Sequence, residues 1–185
     1  MLDSITSRLQ PVAQELFAAW SRLPRHGGVP PRDSFDPMSI ARILPVVSLI
    51  ERFSDEEWRM RVVGTEIERR WGRSLTGLDY RQITSPAAAA ATLREFAAVC
   101  AQPCGSWAMR HLKLESGRRV DAETLRLPLS ARDGSVSLIL SCSGELSGRF
   151  QEDSDRRREV ITLIEQQFLD IGAGIPAAPC VLPAT

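Results

Sequence analysis

Three things are scarce or missing in this 185-residue chain: lysine, net charge, and any stretch approaching the ~20 consecutive apolar residues of a membrane span. Lys113 is the sole lysine among 23 basic residues, a bias we attribute to genomic composition rather than to function. The 23 acidic residues cancel the basic ones, so the surface as a whole offers no field to steer nucleic acid or an anionic membrane. No nucleic-acid partner is expected. The start, MLDSITSRLQP, lacks the basic residues and apolar run of a secretory signal, which points to the cytoplasm. There Cys100, Cys104, Cys142 and Cys180 stay reduced. Histidine is scarce too. With only His26 and His111, the pair Cys100 and Cys104 finds no second half of a metal site at the usual spacing, so no metal is expected and the thiols are read as buried.

What is present is an ordinary globular composition whose period changes along the chain. Ile5, Leu9, Val12, Leu16, Trp20 and Leu23 form one helical stripe over residues 4–23, kinked or restarted at Pro11. LPRHGGVPPRDSFDP is a connector, and a short turn follows at Ile40 to Leu44. Val46 to Phe53 and Trp58 to Gly64 read as a hairpin around the polar turn SDEE. SPAAAAATLREFAAVCAQ reads as a helix with Ser85 at its N-cap and Pro86 at its first position. Trp107 to Glu115, Arg119 to Leu129 and Val136 to Ser143 read as three strands, the last two joined by an Asp133-Gly134 turn. A loop Ser116-Gly117-Arg118 sets Trp107, Met109, His111 and Lys113 opposite Leu127, Leu125, Glu123 and Asp121. A second amphipathic helix is predicted from Asp155 to Ile171, with Val160, Ile161, Ile164, Phe168 and Ile171 on its stripe.

RVVGTEIERRWGR, residues 61 to 73, leaves a strand through one glycine into a helix, the outline of an anion site. Gly64 stands alone, however, without the further glycines and lysine of a phosphate loop. Thr65-Glu66-Ile67-Glu68 reads instead as a capping box whose carboxylates would repel phosphate. GRSLTG is one residue too long for Gly-x-Ser-x-Gly, so Ser74 is read as a turn residue and no catalytic set emerges.

The order hairpin, short helices, longer helix and three antiparallel strands resembles a PAS domain. More narrowly, FDP at 35–37, RVVGTEIE at 61–68 and GRSLTG at 72–77 resemble a bacterial stand-alone PAS subfamily without an attached output domain. The resemblance implies an α+β fold: a five-stranded antiparallel sheet of order 2-1-5-4-3, helices on one face around a cavity, and flanking helices that dimerise or pass a signal to a partner. It divides the chain into an N-terminal amphipathic helix at 1–23, a PAS-like domain at 24–147, a C-terminal helix at 148–172 and a disordered tail at 173–185. Light-sensing relatives carry a flavin-reactive cysteine near the place where Tyr80 stands here. Haem-binding relatives use a histidine on the long helix, and this helix has none. Neither flavin nor haem is therefore expected, and an unidentified small ligand is left as the candidate.

The expected cavity residues are Trp71, Tyr80, Trp107, His111 and Glu123, with His111 at the mouth opposite Glu123. Leu112, Leu114, Val120, Ala122 and Ile139 are expected on the outer sheet face, under a terminal helix or a second subunit. Leu9, Leu16, Trp20, Leu112, Leu114, Ile164 and Phe168 are the expected contact residues of a homodimer or a signalling partner. The leading expectation is a non-enzymatic sensory or regulatory protein. The alternatives are an enzyme with His111 as base and Glu123 as orienter, and a ligand-free dimeric adaptor.

Overall fold

The structure is a computed structural model that describes residues 7–25, 28–114, 117–145 and 157–177. The first helix, α1 (Pro11–Ser21), starts with Pro11 at its first position and buries Ala13, Leu16, Ala19 and Trp20. Three 3-10 turns, Arg32–Ser34, Pro37–Ile40 and Leu44–Val46, carry the chain to the hairpin of β1 (Val47–Arg52) and β2 (Trp58–Val63). Helices α2 (Thr65–Trp71) and α3 (Pro86–Ala101) come next. The chain then runs antiparallel through β3 (Gly105–Leu114), β4 (Arg119–Ser130) and β5 (Val136–Glu145).

These strands pair in the order β2-β1-β5-β4-β3, every pair antiparallel, and β6 (Arg157–Leu169) adds a sixth strand beside β3. Here the sequence predicts a helix, and a strand forms instead. The apolar spacing suits a helix, but Val160, Ile161, Thr162 and Ile164 are β-branched and fit a pleated surface better. Without β6, β3 would be an open edge with unpaired amides. The part of the predicted helix before residue 157 lies outside the described residues, as do Ile5, His26, Cys180 and the tail from residue 178.

The β3–β4 register also differs from expectation. Trp107 faces Leu125, Met109 faces Glu123, His111 faces Asp121 and Lys113 faces Arg119, a slip of two residues. The turn closes earlier than expected, with Leu114 N–H donating to Arg118 O at 2.9 Å and Gly117 N–H to Leu114 O at 3.0 Å. A slip of two keeps each side chain on its own face.

Which face is which is the larger correction. The helices α2 and α3 pack on the face that carries Ile50, Met60 and Ile139, where Ile67, Phe96 and Val99 meet them. Leu112, Leu114, Val120 and Ala122 share this inner side of β3 and β4. The outer face carries Trp107, Leu125, Leu127, Leu129, Leu138 and Leu140, and α1 covers it with Leu16 and Trp20. Both faces of β3 and β4 carry buried apolar residues, so alternation does not say which side the helical layer takes.

The strand exit at Gly64 is structural. A Cβ there would overlap the backbone carbonyl oxygens of Pro45 and Leu44, so glycine is required for close approach. The predicted capping box does not form. Gly64 is the N-cap and Thr65 the first helical residue, which moves Glu68 into the second turn. Its carboxylate instead accepts from Leu75 N–H at 2.9 Å, Thr76 N–H at 3.2 Å and Ser74 Oγ at 2.8 Å, fastening the GRSLTG loop. Those donors hold the Glu68 carboxyl below its usual range, the Leu75 amide most of all.

Candidate functional site

Between the inner sheet face and the helices lies a cavity of about 90 Å³. Its apolar wall includes Ile50, Met60, Ile67, Leu75, Ile83 and Leu112. Trp71 from the end of α2 and Tyr80 from the 3-10 turn Tyr80–Gln82 are also in the wall. Tyr80 reaches it because its ring packs edge-on against Phe96 of α3, centroids 5.0 Å apart. Ordinary small-molecule pockets measure about 300–1,000 Å³, so this space suits a far smaller occupant.

The polar part of the wall comes from the sheet. Arg110 on β3, Thr124 and Arg126 on β4, and Ser141 and Ser143 on β5 all reach the cavity. Behind the two arginines stands Glu95 of α3, 2% exposed. Arg110 Nη2 donates to Glu95 Oε2 at 2.8 Å and Arg126 Nη1 to Glu95 Oε1 at 2.5 Å, and the Ser106 hydroxyl completes the set on the same carboxylate. Arg126 also lies over the Phe96 ring, 5.0 Å from its centroid. Burial alone would raise the Glu95 carboxyl, but the guanidinium charges of Arg126 and Arg110 outweigh it and hold Glu95 below the usual range. Burial, with Arg126 close by, pushes Arg110 down. The cluster therefore carries one negative and two positive charges in a place nearly closed to water. Among the described residues, Arg110 Nη1 and Arg126 Nε are buried without a hydrogen-bond partner.

On the outer face the second buried glutamate has another role. Glu123, also 2% exposed, accepts from Trp107 Nε1 at 2.7 Å and from Gln10 N–H at 3.1 and 3.2 Å, placing a carboxylate at the start of α1. Burial raises its carboxyl above the usual range, since its donors are neutral. Trp20 fixes the far end of the helix by donating from Nε1 to Pro128 O at 2.9 Å.

Of the expected cavity residues, then, Trp71 and Tyr80 are in the wall. Trp107, His111 and Glu123 are on the opposite side of the sheet, because the faces are exchanged. His111 Nδ1 meets Asp121 Oδ1 at 2.5 Å, with both side chains substantially exposed, so the expected pair with Glu123 is not formed. The expected contact residues Leu9, Leu16, Trp20, Leu112, Leu114 and Phe168 are buried within the chain itself, while Ile164 is 46% exposed. Cys100 and Cys104 are buried, and that burial pushes each thiol up to about 12.

Sequence reasoning passed over Glu95, Arg110 and Arg126. A signal was available: Arg126 stands between Leu125 and Leu127 in a strand apolar on both sides of it, and Arg110, Thr124, Ser141 and Ser143 share its face. A charge inside such a strand is seldom left to water on one side only.

In comparison with known protein families, a family profile described as a PAS domain matches residues 8–143, well over half of the chain. No curated protein matches the sequence.

Proposed function

Because the chain belongs to the PAS domain family, whose members generally serve sensory and regulatory roles, we propose that it is a sensory module in which cavity occupancy is transmitted through the sheet to α1. One observation carries this reading. On β4, Thr124 and Arg126 reach the cavity while Leu125 and Leu127 pack in the cluster beneath α1. A ligand that repositions Arg126 moves the same strand on which the helix docks. The ligand need only bind the two docking arrangements with different affinity.

Regulation by protein contact, homodimerisation and a cytoplasmic setting belong to the same proposal. α1 already covers the outer sheet face of its own chain, so a partner would read the position of the helix rather than bare sheet. Ala122, 2% exposed in the cavity wall, offers a test without any ligand. Ala122→Leu places a permanent occupant there, and amide exchange across Pro11–Ser21 is expected to shift at least threefold relative to that across β2. Identical exchange in the two proteins would remove the transmission reading.

A further inference from the structure

The cavity wall holds more positive charge than the fold needs. One guanidinium is enough to neutralise Glu95, yet two are buried against it, Arg110 at 7% and Arg126 at 5% exposure. An uncompensated buried charge costs several kcal/mol and is tolerated where something else pairs with it. Among the described residues each arginine also keeps a buried nitrogen without a hydrogen-bond partner, Arg110 Nη1 and Arg126 Nε. Beside them the cavity of about 90 Å³ has room for a few waters or a small organic ion, and Ser141, Ser143 and Thr124 line it together with aliphatic side chains.

From this we propose that the cavity binds a short-chain aliphatic monocarboxylate, its carboxylate taken by Arg110 and Arg126 and its alkyl end by Ile50, Met60 and Leu75. A single negative charge balances the excess, and the planar guanidinium fork matches two carboxylate oxygens. A phosphate would bring excess charge and no alkyl group for the aliphatic wall. This deepens the sensory reading by naming the chemical class of the signal.

The test follows thermal unfolding of the full chain with sodium acetate, propionate and butyrate, against sodium chloride at equal ionic strength and propionamide at equal concentration. At 100 times the dissociation constant a carboxylate is expected to raise the midpoint by about 5–10 °C, with no such rise from chloride or propionamide. Arg110→Gln keeps the Glu95–Arg126 pair, so it is expected to fold and to bind propionate at least tenfold more weakly. Ala122→Leu keeps both guanidiniums, narrows the space, and is expected to lose butyrate before acetate. Absence of a carboxylate-specific rise in the wild type, or undiminished affinity in Arg110→Gln, would overturn the site. The two readings fail separately. Binding with unaltered exchange of α1 defeats transmission alone, whereas an α1 that responds to Ala122→Leu without any carboxylate binding defeats the site alone.

Discussion

Among the described residues the two sides of the sheet each bury one glutamate to the same extent, 2% exposed, and the two carboxyls move in opposite directions. Glu95, on the inner side, is surrounded by guanidinium charge and stays ionised to lower pH than usual. Glu123, on the outer side, has an indole and a backbone amide for company and holds its proton to higher pH. Burial is common to both, so the sign is set by what the protein places next to the carboxylate. Beneath α1 the outer face is an apolar joint with a buried acid at the start of the helix. The inner face is a charged chamber in which, among the described residues, two guanidiniums share the one carboxylate of Glu95.

The largest expected effects come from breaking each face at its centre. Trp20→Ala on the outer side removes a fully buried ring and its bond to Pro128, with an expected loss of ~3–5 kcal/mol by urea unfolding. Glu95→Ala on the inner side leaves two guanidiniums without their acid and is expected to lose a similar ~3–5 kcal/mol. The sharper contrast is rescue. Adding Arg110→Met and Arg126→Met to Glu95→Ala is expected to restore most of the stability, because a buried charge cluster exchanges for apolar side chains at little net cost. A triple variant no more stable than Glu95→Ala would mean that the charges hold the inner face together rather than serve a ligand.

A middle-sized effect is expected at Gly64, where the chain leaves the sheet for the inner helices. Gly64→Ala forces a methyl group against the Leu44 and Pro45 carbonyls and is expected to destabilise by ~1–3 kcal/mol, with increased amide exchange first in α2. A neutral substitution would show that the approach of the two segments is not tight.

The smallest effect is a pH dependence. The folded Glu123 carboxyl titrates above its ordinary 4.5, so between that value and its folded one the native state holds more protons than the unfolded chain. Stability attributable to this group therefore falls as pH rises through that window and is level above it. Glu95 is shifted the other way, and its contribution is lost as pH falls below the ordinary carboxylate range. Glu123→Gln is accordingly expected to gain stability over the wild type at neutral pH, a gain that disappears below the ordinary range. A gain that instead grows on acidification would reverse the assigned sign.

Much of this fold was readable in the sequence because its signals were local. The Asp133-Gly134 turn, the Pro86 start of α3 and the alternation in β3 to β5 each depend on a few adjacent residues, and the strand order followed from the family resemblance. What was misread depends on distant context. Whether residues 157–169 coil or extend is decided by the open edge of β3. Which side of β4 meets the helices is undetermined when both sides are apolar. Glu68 looked like a helix cap because its spacing from Thr65 fits, yet the GRSLTG loop offers it more donors than the helix start does. The Glu95–Arg110–Arg126 cluster joins three elements and 31 residues of sequence separation, so no local pattern announces it.

The division of labour between the faces is tested most directly by measuring one affinity twice. Propionate is titrated calorimetrically into the wild type and into Leu16→Ala, a change in α1 on the far side of the sheet from the cavity. Coupling between sites is reciprocal, so a ligand that tightens the sheet beneath α1 must bind more weakly when that helix is loosened. We expect the dissociation constant to rise at least threefold in a variant that remains folded; equal affinities in the two proteins would contradict communication across the sheet.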